Sequence, residues 1–175
     1  MEIQDEQLVQ LVRSGSLDAF DQLMRRYQRT VHQIACSVSG DYEHGLDISQ
    51  SVFLKAYQKL DTLADPARFK TWLIRMTYHE SIDWLRRKRE GEFFDESQHV
   101  DHGASDGESA LEQQLRQEQI SQLLGRLHPK HRLAVVLKYF EGCSIRDIAG
   151  TLECSEPVVK NMLYRSLKRM ATHAG

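Results

Sequence analysis

FKTWLIRMTYHESIDWLRRKR, residues 69–89, is the segment that most constrains the architecture of this chain. Read as a helix of about 3.6 residues per turn, it gathers its apolar residues on one broad side, which belongs to a core: Leu73, Ile74, Tyr78, Ile82, Trp84 and Leu85. The opposite side should face water, and it carries a large aromatic ring, cations and hydrogen-bonding groups: Trp72, Arg75, Met76, His79, Asp83 and Arg86. The spacing therefore predicts a helix with a core side and a ligand side.

A surface with both positive charge and a flat ring suits nucleic acid. Lysine and arginine neutralise phosphates, and an indole can stack on a base that has left the duplex, which is worth about 1–3 kcal/mol per base. The run from Arg86 to Arg89 extends the cationic surface beyond the helix. A purely structural interpretation stays open, because Trp72 could pack against a neighbour and a basic helix end complements the helix dipole.

Composition places the chain among globular proteins, since 41% of its 175 residues are hydrophobic and 27% are charged. Its three cysteines, Cys36, Cys143 and Cys154, form no CxxC pair, and no signal-type or membrane-length apolar run is present. We expect a protein of the reducing cytoplasm, with no metal or other cofactor, no small-molecule substrate and no membrane insertion.

The charges are distributed unevenly along the chain. Residues 1–90 hold 13 cationic and 13 acidic residues, residues 91–115 hold 7 acidic residues and no cation, and residues 116–175 hold 10 cationic and 5 acidic residues. Acidic, aperiodic sequence rich in Gly and Ser cannot bury enough apolar area to fold alone. We predict a helical domain at 1–90, a flexible acidic linker at 91–110, and a basic domain at 111–175 that suits nucleic acid.

The N-terminal domain shows helical periodicity and no convincing strand. A short helix is marked by Leu8, Leu11 and Val12, and a break at Gly15-Ser16 precedes a longer helix whose core stripe is Phe20, Leu23, Met24, Tyr27, Val31, Ile34, Ala35 and Val38. A second break at Gly40 leads to a third helix from about Gly45 to Leu60, with Ile48, Val52 and Ala56 inward and Asp47, Gln50 and Lys55 outward. The fold class predicted is all-α, as two small helical domains.

The C-terminal domain contains the spacing of a helix-turn-helix in CSIRDIAGTLECSEPVVKNMLYRSLKRM. A first short helix buries Ile145, Ile148, Ala149 and Leu152. After a turn at residues 153–155, Ser155 caps a second helix whose buried line is Val159, Leu163, Ser166 and Met170. Its outward residues match the chemistry of major-groove reading: Glu156, Pro157, Lys160, Asn161, Tyr164, Arg165 and Lys168. Ordinary helical bundles show similar spacing, so the pattern alone does not separate the two interpretations.

Together, the two modules resemble a bacterial RNA polymerase sigma factor of the extracytoplasmic-function group, the minimal members of the sigma-70 family. DISQSVFLKAY, from residue 47, resembles the segment that binds core polymerase. FKTWLIRMTYHESIDWLRRKR resembles the promoter-melting helix, and LKYFEGCSIRDIAGTLECSEPVVKNMLYRSLKRM resembles the C-terminal helix-turn-helix. The domains at 1–90 and 111–175 then correspond to sigma regions 2 and 4.

The resemblance implies site residues, partners and a function without catalysis. The residues implied for polymerase binding are Asp47, Gln50 and Phe53. Duplex melting and the downstream promoter element fall to Phe69, Lys70, Trp72, Arg75, His79, Asp83, Arg86 and Arg87. The upstream element falls to Ser155, Glu156, Lys160, Asn161, Tyr164, Arg165 and Lys168. The acidic linker would thread toward the RNA exit path, and an anti-sigma factor is implied as a partner, which could hold the protein at the membrane.

The chain departs from the family pattern at several positions. The polymerase-binding segment is less acidic than usual, being diluted by Gly45, Leu46, Ser49 and Ser51. His79 replaces a usual Asn, and Met162 replaces a usual Arg, which removes a possible DNA contact. Glu153 occupies a turn position typically given to Gly, where a left-handed backbone is costly for a residue with a Cβ.

Two other classes of protein compete with this interpretation. An enzyme is suggested by His79-Glu80-Ser81-Ile82-Asp83, which resembles a helical zinc motif, but Asp83 stands in place of the second His and no third ligand is evident. Cys143 and Cys154 read as small core or turn residues. A DNA-binding regulator that never engages polymerase would explain the helix-turn-helix but would leave Trp72 and the arginines of residues 75–89 unassigned.

Overall fold

The computed structural model describes residues 3–91 and 118–173, and no strand occurs among them. The N-terminal lobe, residues 3–91, holds α1 (Asp5–Arg13), α2 (Leu17–Ser39), α3 (Tyr42–Lys59) and α4 (Phe69–Gly91), with short 3-10 helices at Leu60–Thr62 and Pro66–Arg68. The C-terminal lobe, residues 118–173, holds α5, which the structure describes at 118–125, and α6 (Pro129–Tyr139), α7 (Ile145–Leu152) and α8 (Glu156–His173). The predicted all-α fold of two helical domains is confirmed. The predicted linker beyond Gly91, and the start of the predicted C-terminal domain at residues 111–117, lie outside the described residues.

Local signals set the ends of the N-terminal helices at the predicted breaks, although α3 begins at Tyr42, three residues before the predicted start at about Gly45. The Ser16 side chain accepts a hydrogen bond from the Ala19 amide and begins α2. Gly40 ends α2 in the left-handed conformation, with φ 75°, and the Asp41 carboxylate then caps α3 by accepting from the His44 amide at 2.9 Å.

The core of the N-terminal lobe contains residues from all four of its helices, among them Leu8, Leu23, Val31, Val52, Phe69 and Leu73. We call this group the first cluster. The three leucine and valine residues that predicted α1 all lie in it, but Leu11 is 46% exposed, whereas Val9 is fully buried. In a helix this short, a turn of one position moves a residue from the core side to the solvent side.

The crossing of α2 and α3 depends on Gly45. A Cβ at this position would lie 2.3 Å from the Cys36 Sγ, 3.1 Å from the Cys36 amide nitrogen and 3.2 Å from its Cα. The Ser49 hydroxyl donates to the Gly45 carbonyl at 2.6 Å, one turn back within α3. Burial raises the pKa of the Cys36 thiol to about 12, so this side chain packs as a neutral group.

We expect Gly45→Ala to destabilise the protein by about 1–2 kcal/mol, because the new methyl group must push the two helices apart. Gly150→Ala is the matched control, since no atom lies within 4 Å of a Cβ at Gly150. It should stabilise α7 by about 0.5–1 kcal/mol through helix propensity. Urea unfolding followed by circular dichroism measures both variants. A Gly45→Ala protein as stable as the parent would refute the close crossing, and Cys36→Ala in that background should restore part of the loss.

Helix α4 has two apolar sides, whereas the sequence predicted one. Phe69 and Leu73 lie in the first cluster, with Trp84 packed at its edge. Ile74 lies in a second cluster that continues into the C-terminal lobe, and Tyr78, Ile82 and Leu85 pack against it. Between the two sides, Thr77 and Ser81 are fully buried, and their hydroxyls donate to the Leu73 and Thr77 carbonyls at 2.8 Å.

The second cluster joins the two lobes. It contains Ile34, Val38 and Ile74 from the N-terminal lobe together with C-terminal residues that include Leu133, Ile148 and Leu163. Polar contacts also cross this interface, since the Thr30 hydroxyl donates to the Glu141 carboxylate at 2.9 Å and Arg132 donates to the Ser37 carbonyl at 2.6 Å. The C-terminal lobe therefore packs directly on α2 and α4.

Candidate nucleic-acid interface

The aromatic ring predicted for the outer surface of α4 is only partly exposed to solvent. The Trp72 ring is half-buried, packs against the first cluster and lies 6.0 Å from the Phe69 ring, measured between centroids. Phe69 is 0% exposed, and its ring lies 5.7 Å from that of Tyr27. The prediction that Phe69 contacts DNA is corrected, because it has no exposed surface; its ring supports Trp72 from below.

The cationic residues predicted for the α4 surface lie on or near it as expected, but several already have partners. Arg86 pairs with Asp83 at 3.2 Å, and Arg87 is exposed. The half-buried Lys70 has its Nζ 3.5 Å from the Glu141 main-chain oxygen. Polar groups of the C-terminal lobe therefore reach the N-terminal end of α4.

The strongest of these contacts comes from Glu153, in the turn between α7 and α8. Its Oε1 accepts from the Arg75 Nη2 at 2.5 Å and lies 3.5 Å from the His79 Nε2. The Arg75 hydrogen bond and charge, followed by the charges of His79 and Lys130, lower the pKa of Glu153. Two residues predicted to meet DNA thus share one carboxylate that is ionised at neutral pH.

The backbone of Glu153 has the left-handed conformation that the sequence predicted, with φ 53° and ψ 50°. Among the described residues, it is the one non-glycine residue with positive φ. The turn needs this geometry, because the Glu153 and Cys154 amides both donate to the Ala149 carbonyl at the end of α7. The turn does not need a glutamate, since glycine adopts the same backbone without strain.

The helix-turn-helix forms as predicted. Its first helix is α7, its second is α8, and the Ser155 carbonyl accepts from the Val159 amide at the start of α8. The residues predicted to contact the upstream element, which we call the readers, are all exposed: Ser155, Glu156, Lys160, Asn161, Tyr164, Arg165 and Lys168. Met162 is a correction, because it is buried in the second cluster, so a different residue there would change packing before it changed a DNA contact.

A separate apolar groove of about 770 Å³ lies between α2 and α3. Gln50 and Phe53 line it, and Asp47 is exposed on the same helix. The groove also takes in exposed large side chains that the sequence reasoning did not assign: Leu17, Leu46, Leu54 and Tyr57. The signal was present, because residues 46, 50, 53, 54 and 57 recur at helical spacing on the outer side of α3.

Two findings concern the metal site and the membrane span that the sequence was searched for. Within residues 3–91 and 118–173, no three His, Cys, Asp or Glu side chains are grouped so that they could hold a metal ion. In the same ranges, no helix combines the length and apolar character that crossing a membrane requires.

Comparison with known proteins matches both lobes to one family. Residues 23–90 match the model of Sigma-70 region 2, and residues 117–170 match Sigma-70, region 4. The RNA polymerase sigma-H factor of Pseudomonas aeruginosa is 31% identical over 177 residues, covering 93% of this chain and 90% of that protein. The ECF RNA polymerase sigma factor SigW of Bacillus subtilis is 27% identical and covers 94% of each.

A solved structure has the same fold over most of its length. It is the sigma factor RpoE in complex with the anti-sigma factor NepR from Bartonella quintana, with a TM-score of 0.74, 24% identity, and coverage of 88% of this chain and 95% of that one. Two family regions in their expected order, on a fold of this kind, place the chain in the sigma-70 family of RNA polymerase sigma factors, in its extracytoplasmic-function (ECF) group.

Proposed function

We propose that this chain binds core RNA polymerase and directs it to initiate at specific promoters. One observation carries the proposal: an apolar groove, a helix with cations and a half-exposed tryptophan, and a helix-turn-helix with exposed readers occur together in a member of the sigma-70 family. The polymerase supplies the chemistry of RNA synthesis, and the sigma factor supplies recognition and duplex opening.

The α2–α3 groove is the proposed polymerase-docking surface. Exposed leucines and aromatic rings that surround a concave surface favour an apolar helical partner. Gln50 supplies a hydrogen-bonding group and Asp47 a charge near the groove, which would orient the polymerase helices. The low acidity of this segment then matters less, because apolar contact provides most of the affinity.

We expect Leu54→Ser to weaken binding to core polymerase about 10-fold, since Leu54 is 61% exposed in the groove and would become buried on docking. Leu11→Ser is the matched control, because Leu11 is a similarly exposed leucine on α1, and α1 contributes nothing to the groove. Both changes should leave stability within about 0.5 kcal/mol of the parent. Fluorescence anisotropy with labelled protein measures the affinity, and equal binding by the two variants would contradict the docking surface.

Promoter contact is proposed for two surfaces. The helix-turn-helix readers Glu156, Lys160, Asn161 and Arg165 would meet the upstream element in the major groove, assisted by Ser155, Tyr164 and Lys168. On α4, Trp72 would stack on an unpaired base, and Lys70, Arg75, His79, Asp83, Arg86 and Arg87 would lie along the separated strand. The domain limits 1–90 and 111–175 remain predictions.

In vitro transcription separates this function from that of a regulator. Core polymerase with the chain should initiate at new start sites in a genomic DNA template, and core polymerase alone should not. Specific promoter protection should need the polymerase. A regulator would instead protect an operator by itself and would leave start sites unchanged.

An anti-sigma factor is the remaining proposed partner, by analogy with the RpoE structure, which contains NepR. Because polymerase and promoter DNA lie in the cytoplasm, we place the active protein there. Co-purification from fractionated cells would identify the partner and show whether it holds the protein at the membrane.

A further inference from the structure

Three groups from different helices meet where the C-terminal lobe covers α4: Arg75 and His79 on α4, and Glu153 in the α7–α8 turn. All three side chains are about half exposed, so the cluster is open to solvent and to competing anions. The proposed function has no use for a negative charge at this place, because Arg75 and His79 should face a phosphate backbone. This mismatch between the proposed DNA surface and its occupant requires an explanation.

Local folding does not require Glu153. Its left-handed backbone is strained for a residue with a Cβ, and glycine would form the same turn without that strain. Strained residues persist where the surrounding structure holds them, often at functional sites. Here the Ala149 carbonyl holds the backbone, and the Arg75 guanidinium and the His79 ring of the other lobe hold the side chain.

The contact also determines which promoter-binding surface is covered. The readers on α8 remain exposed, including Lys160 and Arg165, whereas Lys70, Arg75 and His79 on α4 all lie against groups of the C-terminal lobe. The buried residues Ile34, Val38 and Ile74 hold the lobes together around this contact. In this arrangement, the α8 residues that would meet the upstream element are available, whereas Lys70, Arg75 and His79 on α4 already have partners.

We propose that Glu153 is an intramolecular lock, in which its carboxylate occupies the place of a DNA phosphate on Arg75 and His79 and competes with DNA for this part of the melting helix. A carboxylate and a phosphate oxygen carry the same sign of charge and accept the same hydrogen bonds from a guanidinium. The proposal rests on the proposed function in one respect, namely that α4 binds DNA. It adds that the free chain restrains its own melting surface.

Glu153→Gln tests the lock, because glutamine keeps the size of the side chain and removes its charge. At about 50 mM salt, where surface charge is weakly screened, we expect the variant to bind a fluorescein-labelled 20-nucleotide oligothymidylate about 3- to 5-fold more tightly than the parent. The measurement uses the full-length protein without polymerase.

Glu6→Gln is the matched control, since it makes the same charge change at an exposed position on α1. Glu153→Gly is a second variant with a distinctive signature: relief of the left-handed strain should raise the melting temperature, while loss of the carboxylate should still strengthen oligothymidylate binding. A variant damaged in folding would lower the melting temperature instead.

The lock is refuted if Glu153→Gln binds the oligonucleotide no better than Glu6→Gln. Failure of the lock leaves the proposed function standing when the parent chain still redirects core polymerase to new start sites. Conversely, the parent chain could fail to redirect polymerase while Glu153→Gln still binds the oligonucleotide more tightly. That pair of results would keep the lock on a nucleic-acid-binding surface and would refute the proposed sigma function.

Discussion

Arg132→Met is expected to destabilise the protein by about 2–4 kcal/mol, the largest loss of stability that we predict for a single substitution at a half-buried position. The Arg132 guanidinium donates to four main-chain carbonyls, those of Leu124, Gly125 and Leu127 in its own lobe and that of Ser37 in the other. These carbonyls lie at or near the ends of α5 and α2, where helices lack internal donors. Methionine fills a similar volume but leaves the carbonyls without this partner.

Thermal unfolding followed by circular dichroism measures the effect. For a chain of this length, a loss of 2–4 kcal/mol lowers the melting temperature by about 4–16 °C. Arg126→Met is the matched control, because Arg126 is exposed in the same lobe and its replacement should change stability by less than about 0.5 kcal/mol. Arg132→Lys should fall between the two, since lysine keeps the charge but lacks the planar fork. Equal melting temperatures for Arg132→Met and Arg126→Met would show that the Arg132 hydrogen bonds do not stabilise the protein.

Helix positions and most core residues were predictable because their signals are local. Ser16, Gly40 and Asp41 each act within four residues of their own position, and the three- and four-residue spacing of α2 requires only that one side be buried. The turn geometry at Glu153 was predictable for the same reason. The exposed readers of α8 followed from the buried line of Val159 and Leu163.

The contacts between the lobes were not predictable in this way. Periodicity shows that Ile34 and Val38 are buried, but not that their partners lie about 100 residues away in the C-terminal lobe. For the same reason, α4 was expected to have one core side instead of two, and the burial of its short polar residues Thr77 and Ser81 was not foreseen. The role of Gly45 was also missed, because it depends on the approach of Cys36 from another helix.

Trp72→Ala should reduce open-complex formation at a duplex promoter about 10-fold or more, while binding to core polymerase changes little. The loss follows from base stacking, which is worth about 1–3 kcal/mol and acts only after the strands have separated. Polymerase docking is assigned to the α2–α3 groove, which does not include Trp72. Permanganate reactivity of unpaired thymines measures melting, and anisotropy measures polymerase binding.

The packing of Trp72 makes a control necessary, since part of its ring contacts the first cluster and truncation will also cost stability. Met76→Ala is the matched variant, because Met76 is half-buried on the same helix and packs against the same cluster without an aromatic ring. If stacking is the cause, Met76→Ala should melt promoters nearly as well as the parent, and Trp72→Phe should recover part of the activity that alanine loses. Equal melting defects in Trp72→Ala and Met76→Ala would instead assign Trp72 to the core, as the structural interpretation of this helix allowed.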